Sequence, residues 1–231
     1  MTQRRKLLAD GMMDQGGVLR SRIHDAQRYL ALENQDEVQT QKVLASLAKN
    51  NVYQIPTLSI MTLSTNRPFK EKAWMDSYQY LPEEVEKKWR DGASTILDSP
   101  VQEKRQKYSN WLHDMVNKAN KAEVKILAGT DCPIAFLTPG LSLHDELLLL
   151  SKSGLTNIEI LKSATSGPAE YFGMESELGL IENGMIADLL ILDADPMKDI
   201  RNTQKINSVI KDGNVMDREK LDELFRRLDN Q

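Results

Sequence analysis

One aspartate that follows a short apolar run is the residue best placed for chemistry in this sequence. Residues 124–131 read Val-Lys-Ile-Leu-Ala-Gly-Thr-Asp, and an apolar, β-branched run that ends at a glycine predicts a buried strand over 124–130. A carboxylate just past the carboxyl end of a buried strand lies where α/β barrels and open α/β sheets keep their catalytic groups. Asp131 is therefore a candidate catalytic residue. The alternative is that Asp131 only turns the chain after the strand.

Side chains that transfer protons or bind zinc are otherwise few. The three histidines, His24, His113 and His144, each stand alone in the sequence. His24 and His113 lie among charged residues, and we expect both to be solvated. His144 lies in the first turn of a predicted helix, where it either contacts a substrate or forms a capping or supporting hydrogen bond. The one cysteine, Cys132, excludes an internal disulfide and a cysteine-based zinc site, and is predicted to be a buried apolar filler rather than a reactive thiol.

Length and composition limit the class of protein. The chain has 231 residues, enough for one large domain or two small ones, with 40% hydrophobic and 28% charged residues, typical of a soluble globular protein. A net charge of −4 and 6% aromatic residues argue against a nucleic-acid surface. No run approaches the roughly 18 apolar residues of a membrane helix, and the basic N-terminus lacks the apolar segment of a secretory signal. A cytoplasmic location is the default expectation. If the chain is a fragment, the absence of a signal says little about the compartment of the whole protein.

The elements that position these residues begin with a predicted amphipathic helix over 36–49. Residues 52–60 predict a strand with Pro56 near its end, because proline cannot donate a ladder hydrogen bond. Thr57 is a candidate pocket residue at the end of this strand; the alternative is simple strand termination. A largely helical excursion over 66–123 follows. Its aromatic side chains are expected to pin helices to the core, and a lid or pocket wall is the alternative.

Helix signals continue after Asp131. Ser142 with Asp145, and Thr156 with Glu159, each form the sequence signature of a capping box at the start of a helix. A third, short helix is predicted to end at Gly173.

The last part of the chain is predicted to be rich in β structure. Apolar runs over 187–192 and 206–210 predict strands, and Asp212-Gly213 is a strong two-residue hairpin signal. A charged helix over 217–229 closes the chain.

Several motifs occur in a fixed order in the C-terminal half: Leu127–Asp131, Pro139–Leu147, Ser153–Thr156, Ala164–Ala169 and Gly179–Asp193. In that order and spacing they resemble the C-terminal part of the amidohydrolase superfamily, nearest to its imidazolonepropionase-like and prolidase-like branch. Residues 51–58 resemble the seventh barrel strand of that branch. The resemblance covers about 50–65 and 124–216, and 66–123 remains as a helical insertion.

The resemblance implies an α/β fold, the metal-bearing (β/α)8 TIM barrel with a small β-sandwich built from both chain ends. It places Asp131 after the eighth strand, as a ligand of a divalent metal, expected to be zinc, and as general base on metal-bound water. The implied reaction is hydrolysis of C–N bonds in amides, cyclic amides or dipeptide-like substrates. His144 and Thr57 are the candidate substrate contacts near the barrel mouth.

Most of such a site has no counterpart in this sequence. The family's other ligands come from a His-x-His after strand one, a carboxylated lysine or a glutamate on strand four, and histidines on strands five and six. This sequence contains no His-x-His, and a (β/α)8 barrel takes about 250 residues, whereas one clear strand precedes Val124. We therefore expect the chain to be the C-terminal part of an amidohydrolase, starting after the sixth strand and binding no metal by itself.

Three units are expected: a partial barrel segment over 1–178, β-sandwich strands over 179–216, and a C-terminal helix over 217–231.

A missing N-terminal half, in the same gene or on a partner chain, would complete the enzyme. The alternatives are a non-catalytic remnant or partner-binding module, and a truncation without biology of its own. Unpaired strand edges predict either homo-oligomers formed by edge pairing or a packing rearranged from the barrel.

Overall fold

The structure, a computed structural model, describes residues 27–134 and 136–228, so that His24 lies outside the described residues. Residues 27–33 are helical. The helices that follow are α1 (Glu37–Lys49), α2 (Leu58–Met61), α3 (Leu63–Asn66), α4 (Lys72–Asp76), α5 (Glu83–Asp98), α6 (Glu103–Lys121), α7 (Leu141–Lys152), α8 (Asn157–Ala164), α9 (Ser166–Phe172) and α10 (Arg218–Leu228). The strands are β1 (Leu189–Leu192), β2 (Ile206–Lys211) and β3 (Asn214–Met216), and 3-10 turns cover Pro68–Lys70, Ser77–Tyr80 and Ile200–Gln204.

The two predicted barrel strands are far shorter than their sequence patterns suggest. Within 52–60 and 124–130, a single parallel bridge joins Gln54 to Ile126. The strand predicted over 52–60 is wrong beyond this bridge, because the backbone enters the left-handed region at Thr57 (φ 48°) and continues as the short helix α2. A strand in a barrel pairs with a neighbouring strand on each edge. In the described part of the chain, each of these two segments has only the other as a strand partner.

Apolar clusters hold the helices together. The cluster beside the paired segments has side chains from α2, α7 and α8 at its centre, at most 1% exposed: Leu58, Leu149, Leu150 and Ile160. A second cluster joins the predicted helical excursion to the loop before α7 through Phe69, Trp74, Tyr78 and Leu137. The aromatic residues of the excursion that are buried, among them Trp74 and Tyr78, therefore anchor helices as predicted.

The two capping boxes predicted from the sequence have different outcomes. The box at α8 is confirmed, since Thr156 and Glu159 bond each other's backbone N–H groups. The prediction of a capping box at α7 is wrong. That helix begins after Gly140 with no side-chain cap, and the carboxylate of Asp145 accepts hydrogen bonds from Asn66 instead.

The C-terminal elements agree with the sequence prediction. The three strands form an antiparallel sheet in the order β1-β2-β3. The predicted hairpin turn is confirmed, with positive φ at Asp212 (49°) and Gly213 (74°), as a tight two-residue turn requires. The second layer of a β-sandwich and the predicted domain division remain predictions. Among the described residues, no helix combines the length and apolar character needed to cross a bilayer.

Two glycines that follow helices provide a matched test of packing. Gly154 (φ 93°) and Gly173 (φ 69°) both adopt left-handed backbone, but a Cβ on Gly154 would lie 2.4 Å from Asn117 Nδ2, whereas a Cβ on Gly173 would have no neighbour within 4 Å. Asn117 Nδ2 also donates to Ser153 O at 2.8 Å, so moving it away would break that bond. We expect Gly173→Ala to lower the free energy of unfolding by about 1–2 kcal/mol. Gly154→Ala is expected to lower it by at least about 1 kcal/mol more, measured by urea denaturation. Equal losses in the two variants would contradict this account.

Candidate active site

Two candidate site residues follow the carboxyl ends of the paired segments. Gln54 N donates to Lys125 O at 2.8 Å and Leu127 N donates to Gln54 O at 2.9 Å, which is the hydrogen-bond pattern of parallel strands. Because the segments run in the same direction, Thr57 and Asp131 leave the pair at the same end.

The segments remain in contact beyond the bridge. A Cβ on Gly129 would lie 2.6 Å from the Ile55 side chain, so a larger residue at this position would have to displace that side chain. The two segments that precede Thr57 and Asp131 are therefore parallel neighbours, and a shared site for these two residues remains a prediction.

Asp131 has left-handed backbone and also an exposed carboxylate. Its φ of 60° turns the chain, a conformation that aspartate tolerates better than most residues. Its side chain is exposed, and no described residue forms a hydrogen bond or ion pair with its carboxylate. The carboxylate is therefore free to accept a proton or to bind a ligand.

Three consecutive residues of α7 connect this helix to other parts of the chain. His144 Nδ1 lies 3.0 Å from Thr203 Oγ1 in the last 3-10 turn. Both Asp145 oxygens accept from Asn66 Nδ2 at 3.0 Å. Glu146 accepts through Oε1 from Leu58 N (3.0 Å) and through Oε2 from Ser59 N (2.7 Å). Adjacent carboxylates thus hold the two ends of the segment from α2 to α3 that directly follows Thr57.

Glu146 is the residue of this region that the sequence analysis missed. Its side chain is fully buried, and its carboxylate caps α2, because Thr57 at the N-cap position forms no side-chain cap. Burial raises the pKa of Glu146 to about 7; the two backbone donors act in the opposite direction, and the neighbouring Asp145 raises it further. The sequence contained a sign that Glu146 is buried. Its position shares one helix face with residues 142, 149, 150 and 153, which are all buried in the structure.

The two described histidines both have partners. Burial lowers the pKa of His144, which is half-buried, so the ring is neutral at pH 7 and Nε2 is the nitrogen left for a substrate. Such a contact remains a prediction. The prediction that His113 is solvated is wrong: its Nδ1 lies 2.7 Å from Ser153 Oγ, because α6 packs against α7. Burial, and to a lesser degree Lys152, lower the pKa of His113.

The described residues do not form a metal centre by themselves. Over 27–134 and 136–228, no three His, Cys, Asp or Glu side chains are grouped closely enough to hold an ion. A metal role for Asp131 remains a prediction. Cys132, predicted to be buried, is half-buried, and its Sγ donates to Leu137 O at 3.3 Å.

Cavities bounded by described residues include three that these candidate side chains do not line. The three have volumes of about 700, 510 and 650 Å³, and neither Asp131, Thr57 nor His144 is among their lining residues.

Comparison with known proteins supports the resemblance seen in the sequence. Residues 107–216 match the amidohydrolase family. No curated protein matches the chain. The superfamily resemblance is confirmed for the C-terminal half of the chain.

Three solved structures are similar to the chain. A Xaa-Pro dipeptidase with methionine bound in its active site shares 24% identity, with 76% of this chain and 37% of that chain covered and a TM-score of 0.53. A bottromycin amidohydrolase shares 22% identity, with 77% and 40% covered and a TM-score of 0.60. A candidate prolidase from Bifidobacterium longum shares 26% identity, with 76% and 39% covered and a TM-score of 0.52. The chain thus spans about two fifths of the length of these structures.

Proposed function

Because residues 107–216 match the amidohydrolase family, we propose that this chain is the C-terminal part of a metal-dependent hydrolase that cleaves C–N bonds. The observation that supports the proposal in the structure is the parallel pairing of Gln54 with Ile126, because Thr57 and Asp131 follow these two segments in the chain. The proposed substrates are those that the sequence resemblance implies: amides, cyclic amides or dipeptide-like molecules. One of the similar structures is a Xaa-Pro dipeptidase, which is consistent with the last of these.

Each candidate residue has a proposed role in this reaction. Asp131 is the general base and an oxygen ligand of a divalent ion, with zinc expected, because its carboxylate is exposed and engaged by no described side chain. The hydroxyl of Thr57 and Nε2 of His144 are the proposed substrate contacts. When bound, the ion would supply a Lewis acid. Its remaining ligands belong to residues other than those described.

The small sheet offers a surface for the rest of the protein. Leu190 and Ile191 are consecutive in β1 and therefore face opposite sides, yet they are 54% and 47% exposed. Val215 in β3 is 56% exposed. Large exposed apolar residues on both faces of a sheet are typical of an interface. We propose that strands of an N-terminal half complete the composite β-sandwich here.

The same surface favours a second candidate function. A partner-binding module that retains the scaffold without hydrolysing a substrate would also need exposed apolar residues on its sheet. A homo-oligomer would cover them with a second copy of the chain.

A mixing experiment separates the two functions. The chain is combined with an N-terminal half of a related amidohydrolase that carries the His-x-His ligands. We expect a 1:1 complex that retains zinc after desalting and hydrolyses a dipeptide ending in proline, measured by metal analysis and product release. The control is the same half with both histidines replaced by alanine, which should associate without zinc. Association without hydrolysis would favour the binding module, and failure to associate would contradict the proposed completion.

A further inference from the structure

A cavity of about 510 Å³ between α2, α5 and α6 is lined by several positively charged side chains. Arg28, Arg67 and Arg105 line it, and none of its described lining residues is acidic. This cavity contains none of the residues of the proposed hydrolytic site.

Arg67 places a buried charge at the wall of this cavity. The residue is 6% exposed, and its guanidinium donates to Ser64 O (3.0 Å) and Ser99 O (2.8 Å), with a longer contact to Leu97 O (3.5 Å). These acceptors are neutral carbonyls, and no described carboxylate pairs with Arg67. A guanidinium has five N–H donors, so donors remain after these contacts. A buried charge without a counter-charge is costly, and an anion in the cavity would neutralise it.

Arg105 and Arg28 also line the cavity. Arg105 is exposed in the first turn of α6, and no described side chain pairs with its guanidinium. The Arg28 guanidinium is held 5.5 Å from the ring centroid of Tyr108. Arginine is suited to this role, because its planar fork can bind two oxygens of a carboxylate or phosphate at once.

The rest of the lining selects the body of the ligand. It includes these apolar side chains: Ile60, Met61, Leu63, Ile96, Pro100 and Val101. We propose that this cavity binds a small organic anion, with a carboxylate or phosphate group on Arg67 and Arg105 and an apolar body against the aliphatic wall. Recognition by apolar contact with a few converging charged groups is the usual design of a small-molecule site.

Calorimetric titration of the full chain tests the site with three probes of similar shape: phenyl phosphate, benzoate and neutral phenol. Saturable 1:1 binding is expected for phenyl phosphate, for benzoate or for both, and the stronger of the two identifies the head group. Phenol is expected to bind at least about tenfold more weakly, since it lacks the charge.

Two variants on the same helix separate a built site from general attraction. Arg105→Gln is expected to weaken anion binding about tenfold. Lys107→Gln makes the same change in charge at an exposed residue that does not line the cavity, and should leave affinity within about twofold. The proposal is overturned if neither anion binds saturably below about 10 mM, if phenol binds equally well, or if both variants weaken binding equally. Arg105 is used because Arg67 also holds three carbonyls in place, so its loss would disturb the fold.

Discussion

Asp131→Asn is expected to lower kcat/KM for dipeptide hydrolysis by a factor of about 10² to 10⁴, in a preparation that combines this chain with the segment carrying the remaining ligands. The substitution removes the proton-accepting carboxylate and keeps the size of the side chain. Asparagine tolerates left-handed backbone, and no described residue bonds the carboxylate, so the free energy of unfolding should be unchanged. Initial rates and bound zinc are the measurements.

The matched control is Asp212→Asn in the β2–β3 hairpin. Asp212 is also exposed and also has positive φ (49°), but it lies in the C-terminal sheet. This variant should change the free energy of unfolding by no more than about 0.5 kcal/mol, as is usual for surface substitutions. Its activity should match that of the parent, because Asp212 lies in the β2–β3 turn and outside the proposed site. Full activity in Asp131→Asn, or an equal loss in both variants, would remove Asp131 from the proposed mechanism.

Glu146→Ala is expected to lower the free energy of unfolding by about 3–5 kcal/mol. The change leaves the N–H groups of Leu58 and Ser59 buried without their acceptor and opens a cavity beneath α2. Glu146→Gln keeps one acceptor oxygen and fills the space, so a smaller loss of about 1–2 kcal/mol is expected at pH 7. Urea denaturation measures both variants, with Glu182→Gln, at an exposed position outside the helices and strands, as the control that should leave stability unchanged.

The same carboxylate should make stability depend on pH. Burial raises the pKa of Glu146 to about 7 in the folded protein, above the ordinary value of 4.5. Between these values the folded state binds more protons than the unfolded state, so the contribution of Glu146 to stability falls as pH rises from about 4.5 to above 7. The full loss is roughly 3 kcal/mol.

The comparison with Glu146→Gln isolates this effect from other titrating groups. The stability difference, parent minus variant, should decrease steadily over this pH range, because glutamine does not titrate. A difference that stays constant from pH 5 to pH 8 would show that the buried carboxylate does not titrate in this range.

Sequence patterns were sufficient where the hydrogen bonds are formed within a few residues. Thr156 and Glu159 cap α8 as predicted, since both partners belong to one helical turn. Asp212-Gly213 forms the predicted hairpin, because the two residues tolerate positive φ and the apolar runs beside them pair directly. The motifs of the C-terminal half were equally sufficient for the superfamily resemblance.

The other features of the fold and of the site depend on contacts between residues that are far apart in the sequence. Asp145 was predicted to cap its own helix, but its carboxylate accepts hydrogen bonds from Asn66, which is distant in the sequence. His113 was predicted to be solvated, but Ser153 lies against it on another helix. The predicted strand over 52–60 is reduced to a bridge at Gln54, because strand length depends on partner strands rather than on the residues of the strand alone.

The sequence by itself determined the cap of α8, the hairpin, the family resemblance and the place of Asp131 after an apolar run. Only the tertiary structure decided that the segments before Thr57 and Asp131 pair in parallel, that Glu146 is the buried cap of the segment following Thr57, and that arginines from separate elements line one cavity. The physical reason is the range of the interactions. Propensities and caps act over a few residues, whereas burial, desolvation and charge depend on which distant segments the fold brings into contact.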